Sequence, residues 1–114
     1  MSFPVKKITV VSGDNKKTWE FNAFQVTGNL YVHKQIDYSI GKPTRDRKDV
    51  LWTITAQPSG ALVWNCSSRE QAILLAQAIE ERFDFGRSVE EMKKDEVFMS
   101  DGLRFIREFV AQAA

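Results

Sequence analysis

The apolar residues of this chain change their spacing once, near residue 66 of 114. Before that point they tend to alternate with polar residues in short runs rich in Val, Ile, Thr and aromatic side chains, a pattern typical of β-strands. After it they recur every three or four positions, as on the buried face of an amphipathic helix. The sequence therefore predicts one α+β domain over 1–114, with a β-sheet half at 1–66 and a helical half at 67–114.

Residues that favour turns divide the first half into about five predicted strands. These strands are expected at 5–11, 17–26, 30–36, 50–56 and 61–65. The connection Gln-Pro-Ser-Gly at 57–60 is typical of a hairpin, because Pro presets one backbone angle and Gly accepts a positive one. Short connections of this kind favour an antiparallel β-meander. The exception is the polar stretch at 41–49, which we expect to be a long exposed loop.

Capping signals divide the second half into helices. The sequence Ser-Ser-Arg-Glu at 67–70 is a capping box that opens the first helix, and Gly86 is placed to end it. A second box, Ser-Val-Glu-Glu at 88–91, opens a short charged helix. Ser100 or Asp101 is expected to cap a third helix, although the pattern leaves open whether 89–112 is one kinked helix or two. We expect two or three C-terminal helices packed on one face of the sheet.

The balance of charge and the cysteine content exclude several classes of protein. Sixteen basic and fifteen acidic residues give a formal net charge of +1, whereas a dedicated duplex-DNA binder carries a large basic excess. The single cysteine, Cys66, cannot form an internal disulfide and shows no zinc-binding spacing. No apolar run approaches the ~18–20 residues of a membrane span, and the first residues lack the apolar stretch of a secretory signal. We therefore expect a cytoplasmic protein that does not enter a membrane.

The sequence carries no recognisable catalytic signature. Cys66 and His33 are each the only residue of their type, and neither lies in a known nucleophile motif. We expect a small buried thiol and an exposed strand histidine. No glycine-rich phosphate-binding motif occurs either. The sequence thus predicts no catalytic residue, cofactor or metal ligand, and a protein that is not an enzyme.

The most informative functional feature is the apolar C-terminal segment. Eight large apolar residues lie within the fourteen positions 97–110. This stripe is wider than one small sheet and one helix are expected to cover, which favours a protein–protein interface. The alternative, that the stripe completes the core of its own chain, stays open. The predicted interface residues are Phe98, Leu103, Phe105, Ile106 and Phe109.

From these features we predict a small non-catalytic binding or adaptor protein that acts through protein–protein contacts. We expect it to be a homo-oligomer, with a dimer favoured, formed through the C-terminal helix. The sequence does not identify any further protein partner.

A second hypothesis comes from aromatic and basic residues in the N-terminal half. Rings exposed on a sheet stack on the bases of single-stranded nucleic acid while cations contact its phosphates. The alternatives are that the helices cover these rings and that the basic loop is simply solvated. The predicted nucleic-acid contacts are Trp19, Tyr31, His33, Lys34, Lys42, Arg45, Arg47 and Lys48.

Overall fold

The structure, a computed structural model, describes residues 3–11, 18–37, 42–43, 51–57 and 59–113. The strands within these ranges are β1 (Val5–Val11), β2 (Thr18–Gln25), β3 (Leu30–Lys34), β4 (Ile36–Asp37), β5 (Lys42–Pro43), β6 (Trp52–Ala56) and β7 (Leu62–Cys66). The helices are α1 (Arg69–Glu80), α2 (Val89–Lys94) and α3 (Glu96–Ala113). None of these helices combines the length and the apolarity that crossing a membrane requires.

Five of the strands form the predicted antiparallel sheet. Their order is β1-β2-β3-β6-β7, and every neighbouring pair is antiparallel. The predicted α+β arrangement, with C-terminal helices after the sheet, is confirmed. The short strands β4 and β5 pair separately, Ile36 with Pro43 and Asp37 with Lys42. The stretch predicted as a loop, 41–49, therefore contains a two-residue strand at 42–43, and its other residues lie outside the described part of the chain.

One face of the sheet packs on α1 and forms the main core. Alternate residues of β3 and β6 point towards this face, as the pleat of a strand requires. The core side chains from these strands are Leu30, Val32, Ile54 and Ala56, and they meet Ala72, Leu75, Ala76 and Ile79 of α1. All eight side chains are completely buried. The apolar face predicted for the first helix is therefore the face that packs on the sheet. Helix α3 then packs beside α1.

The hairpin β1–β2 folds back over the opposite face of the sheet. The Gln57 side chain, just beyond β6, donates a hydrogen bond of 2.6 Å to the carbonyl oxygen of Thr9 in β1. In a flat sheet these strands would be three spacings, about 14 Å, apart. The curvature collects Ile8, Val10 and Ala23 into a second buried cluster, against which Tyr31 packs.

The first helix begins one residue later and ends earlier than predicted. The hydroxyl of Ser68, not Ser67, accepts from the backbone amide of Gln71 at 3.1 Å, so the capping box is shifted by one position. The prediction that Gly86 ends this helix is wrong, because α1 stops at Glu80. There the Glu80 carboxylate accepts from the amide of Asn29 at 3.0 Å, which ties the helix end to the turn between β2 and β3.

The remaining helical segment is two helices. The second capping box is confirmed: Ser88 accepts from the amide of Glu91 at 3.2 Å. Asp95 adopts an extended backbone conformation after α2, and its carboxylate accepts from the amide of Phe98 at 2.9 Å. Asp95 therefore begins α3, and the expectation that Ser100 or Asp101 caps this helix is wrong, because both residues lie inside it.

Candidate functional site

An open apolar groove of about 250 Å³ lies between β7, α2 and α3. Its floor consists of Phe85, Met92 and Ile106, which are buried members of the core. Its rim carries three large apolar side chains that remain exposed to solvent, namely Leu62 (46%), Met99 (42%) and Leu103 (39%). Among the described residues that line the groove, Lys93 is the one charged side chain. The arrangement suits an apolar occupant that enters from solvent.

The periodicity of α3 explains why its residues form one wall of this groove. Residues three, four, seven and eight positions apart lie on the same side of an α-helix. Phe98, Met99, Gly102, Leu103 and Ile106 have these spacings and all line the groove. The apolar stripe detected in the sequence therefore becomes a continuous surface once the segment is helical.

The glycine in this wall, Gly102, is required neither by the backbone nor by packing within the chain. It lies inside α3, and a Cβ atom added to it would find no heavy atom within 4 Å. A glycine inside a helix costs about 0.5–1 kcal/mol relative to alanine. Its missing side chain deepens the groove and leaves the helix backbone open to close approach by another molecule.

Aromatic contacts hold the inner wall of the groove in place. The Phe98 ring meets Phe85 edge-on at a centroid distance of 5.3 Å and Phe83 at 5.8 Å. The Arg87 guanidinium lies 4.8 Å from the Phe98 ring centroid. Aromatic pairs of this geometry stabilise one arrangement of the rings. The groove is therefore a preformed surface.

An ion pair fixes the junction between α2 and α3 at one end of the groove. Arg87 Nη1 donates to Asp95 Oδ2 at 3.0 Å. The hydrogen bond from the Phe98 amide, and secondarily the one from Arg87, lower the pKa of the Asp95 carboxyl below its usual value. The carboxylate is thus the stable form at the start of α3.

The five predicted interface residues divide into two groups. Phe98, Leu103 and Ile106 line the groove, although Ile106 is buried and contributes to its floor. Phe105 and Phe109 do not line the groove and pack against the main core: the Phe105 ring is 6.1 Å from Phe83, which follows α1, and 6.3 Å from Phe109, and both rings are half-buried. The alternative left open by the sequence, that the apolar residues at 97–110 complete the core of their own chain, therefore holds for some of these residues.

Nine of the twelve described residues that line the groove were not predicted from the sequence, and Leu62, Met99 and Gly102 are the most important of them. Met99 was recognised as apolar without being assigned to the interface, and Leu62 is an alternating residue of a strand that turns out to lie at the sheet edge. Gly102 follows Phe98 by four positions within the helical pattern. That glycine, flanked by large apolar residues at helical spacing, is the signal from which the groove could have been found.

The expectation that His33 is exposed is wrong. Its ring is 3% exposed, with Nδ1 2.7 Å from the Lys34 carbonyl oxygen and Nε2 2.8 Å from the Thr55 hydroxyl. Because a carbonyl oxygen only accepts, Nδ1 carries the proton and Nε2 accepts from Thr55. Burial lowers the pKa of His33 to about 4. The histidine is therefore a neutral structural group.

The other predicted nucleic-acid contacts do not form an exposed aromatic surface among the described residues. Trp19, Tyr31 and Lys34 are half-buried, and Lys34 Nζ lies 5.9 Å from the centroid of a neighbouring ring, Trp52. Lys42 contributes its backbone to β5. The predicted contacts Arg45, Arg47 and Lys48 lie outside the described residues. Stacking on bases requires exposed rings, so this hypothesis gains no support from the part of the chain that is described.

The single cysteine is buried, as expected. Cys66 is 2% exposed at the end of β7, and burial raises the pKa of its thiol to about 11. The thiolate is the reactive form of cysteine, so this thiol is protected in the folded chain. Within the described ranges, no three His, Cys, Asp or Glu side chains are grouped so that they could hold a metal ion.

Comparison with known proteins adds no functional information to this geometry. No protein-family model, no curated protein and no solved structure matches the chain.

Proposed function

We propose that the chain is a non-catalytic protein-binding module that associates with a second copy of itself through the groove. The observation that carries this proposal is the joint exposure of Leu62, Met99 and Leu103 on the rim of a preformed apolar concavity. Isolated exposed apolar residues are normal on protein surfaces, whereas contiguous ones mark contact sites. The glycine in the wall, Gly102, adds a place where another backbone can approach closely.

The size of the groove favours side chains of a protein over a small molecule. Small-molecule pockets are commonly about 300–1,000 Å³ and enclose most of their ligand. A groove of about 250 Å³ that is open to solvent accommodates a few apolar side chains instead. Helix α3 presents such side chains, Met99 and Leu103, on the surface that lines its own groove. In a two-fold dimer the same patch supplies both partners, so one surface is sufficient.

The expected association is weak. Burying a large apolar side chain completely contributes about 1.5–3 kcal/mol, so covering three rim residues that are already more than half-buried contributes about 1 kcal/mol each. The same three residues on both copies must offset an association cost of at least about 4 kcal/mol. The six side chains contribute about 6 kcal/mol, only about 2 kcal/mol more than this minimum cost, so we expect a weak dimer that forms at millimolar concentrations or above and dissociates on dilution, not an obligate one.

The test is a concentration series in the analytical ultracentrifuge with two matched variants. Leu103→Glu places a charge on the groove rim and should shift the chain to monomer. Val97→Glu places the same charge on the same helix at a residue that is 67% exposed and does not line the groove, so its association should equal that of the wild type. A wild-type chain that stays monomeric throughout the millimolar range contradicts the proposal. Equal effects of the two variants contradict the assignment to the groove.

A further inference from the structure

We infer that two copies pack their α3 helices antiparallel, crossing near Gly102, in a register that places Glu96 of one copy opposite Arg107 of the partner subunit. This inference rests on the proposed function, because it assigns the geometry of the self-association. It follows from how apolar and charged residues are distributed along α3.

Glu96 and Arg107 lie on the same flank of α3, beside the rim residue Leu103. Successive residues of an α-helix are rotated by about 100°, so positions 96 and 107 differ by only about 20° around the axis. Both side chains are exposed. They are about 16 Å apart along the helix, which is too far for an ion pair within one chain. This flank of α3 therefore has a negative charge, Glu96, near the N-terminus of the helix and a positive charge, Arg107, nearer its C-terminus.

Two-fold symmetry turns this pattern into complementary charge. When two identical helices pack antiparallel about a two-fold axis, residues equally far from the crossing point on opposite sides face each other. The midpoint between Glu96 and Arg107 falls immediately before Gly102. A crossing there forms the Glu96–Arg107 pair twice, once at each end of the contact. A parallel arrangement would place like charges together and is disfavoured.

The same register also brings apolar residues of the two copies into contact. It brings Met99 of one copy next to Leu103 of the partner subunit, because these positions also lie almost symmetrically about the crossing point. Gly102 lies level with the crossing point along the helix but about 100° around the axis from Leu103, on the groove side of the contact, where open space adjoins the helix. Apolar contact and charge thus agree on one arrangement.

Charge reversal tests this register. In homodimers of Glu96→Arg, two pairs of positive side chains face each other; in homodimers of Arg107→Glu, two pairs of negative ones do. Each variant alone should therefore associate about tenfold more weakly than the wild type. A mixture of the two restores both attractive pairs, because the substituted position 96 of one chain faces the substituted position 107 of the other. The mixture should form heterodimers with about wild-type affinity.

A matched control is Glu108→Arg, which makes the same charge change at an exposed residue on the other flank of α3. It should change the dissociation constant less than about twofold. Its mixture with Arg107→Glu restores only one of the two attractive pairs, so the heterodimer should have an affinity between that of the Arg107→Glu homodimer and that of the wild type. All variants are first compared with the wild type by circular dichroism, so that association is measured on folded chains.

The measurement is the dissociation constant of each single variant and of the mixture, from sedimentation with one variant fluorescently labelled. Recovery in the mixture supports the antiparallel register. A wild-type dimer whose two variants do not recover on mixing overturns this register while leaving the proposed self-association intact. A wild-type chain that does not associate at all overturns both.

Discussion

The Asp95 carboxylate accepts a hydrogen bond from the backbone amide of Phe98, with Oδ1 and N 2.9 Å apart. This contact begins α3 and, in the same turn, positions the residue whose ring forms the inner wall of the groove. Arg87 joins the two, because it donates to Asp95 at 3.0 Å and lies over the Phe98 ring at 4.8 Å. The start of the helix and the shape of the candidate site are therefore coupled.

Replacing this cap should weaken both the helix and the association. We predict that Asp95→Ala lowers the melting temperature and raises the dissociation constant of the dimer, because the first-turn amides of α3 lose their acceptor. Asp95→Asn keeps an acceptor for the Phe98 amide and should cost much less. Thermal unfolding monitored by circular dichroism, with sedimentation of the same samples, measures both effects.

The control for this cap is Asp101→Ala, which removes a carboxylate from the interior of α3. Asp101 makes a long ion pair of 3.8 Å with Arg104, and both side chains are exposed. Its loss should leave melting and association close to those of the wild type. If Asp95→Ala and Asp101→Ala behave alike, the cap does not position the groove.

Substitutions at Gly102 should separate stability from association. Gly102→Ala is expected to stabilise the chain by about 0.5–1 kcal/mol, because a helical glycine is replaced where the added methyl group meets no atom. Gly102→Trp should fill the groove, leave a folded monomer and abolish self-association. Chemical denaturation gives the stability and sedimentation gives the association. If the tryptophan variant dimerises as tightly as the wild type, the groove is not the contact surface.

The buried histidine should make stability depend on pH. Since the pKa of His33 is lowered from 6.5 to about 4 in the folded chain, the unfolded chain binds the additional proton between these values. Stability should therefore be complete above pH 6.5 and fall by about 3 kcal/mol as the pH drops towards 4. The lowered pKa of Asp95 acts in the same direction, but only below its ordinary value of 3.8.

Comparison of the wild type with His33→Gln separates the effect of His33 on the free energy of unfolding from that of the surface carboxylates, which both chains share. The stability difference between wild type and variant, measured by urea unfolding at several pH values, should shrink as the pH falls from 6.5 to 4. A difference that stays constant over this interval would mean that His33 is already protonated, or exposed, in the folded chain.

The single thiol should react slowly until the chain unfolds. Raising the pKa of Cys66 to about 11 from 9.0 lowers its thiolate fraction about a hundredfold at pH 8, and burial adds steric protection. Alkylation by iodoacetamide, followed by mass spectrometry, should therefore be at least about a hundredfold slower in native buffer than in urea. Rapid labelling in native buffer would show that the end of β7 opens.

The sequence predicts the sheet and the layer between the sheet and α1 because both depend on local periodicity. Alternation places Val32 and Ile54 on the core face, and helical spacing places Leu75 and Ile79 opposite them. The burial of His33 could not be predicted in this way. It accompanies a sheet whose curvature depends on a contact between Gln57 and Thr9, 48 positions apart, for which the local pattern carries no signal.

The candidate site was predictable only in part for a similar reason. The spacing of apolar residues identifies α3 as amphipathic, but it does not fix how the helix is rotated against α1. That rotation places Phe105 against Phe83, with Phe109 beside Phe105, and leaves Leu103 on the groove rim. The start of a helix depends on which side chain accepts a hydrogen bond from a backbone amide of the first turn, and several nearby residues can do so. In α3 this residue is Asp95, whereas Ser100 or Asp101 was expected.

The central claim, that a second copy covers the groove, is tested most directly by methyl NMR during dilution. The methyl signals of Met99 and Leu103 should shift on dilution from millimolar concentrations to about 10 µM as the dimer dissociates. Those of Leu74, which is exposed on α1 and does not line the groove, should stay in place. If the Met99 and Leu103 signals do not move over this range, or if the Leu74 signals move equally, the groove is not where two copies meet.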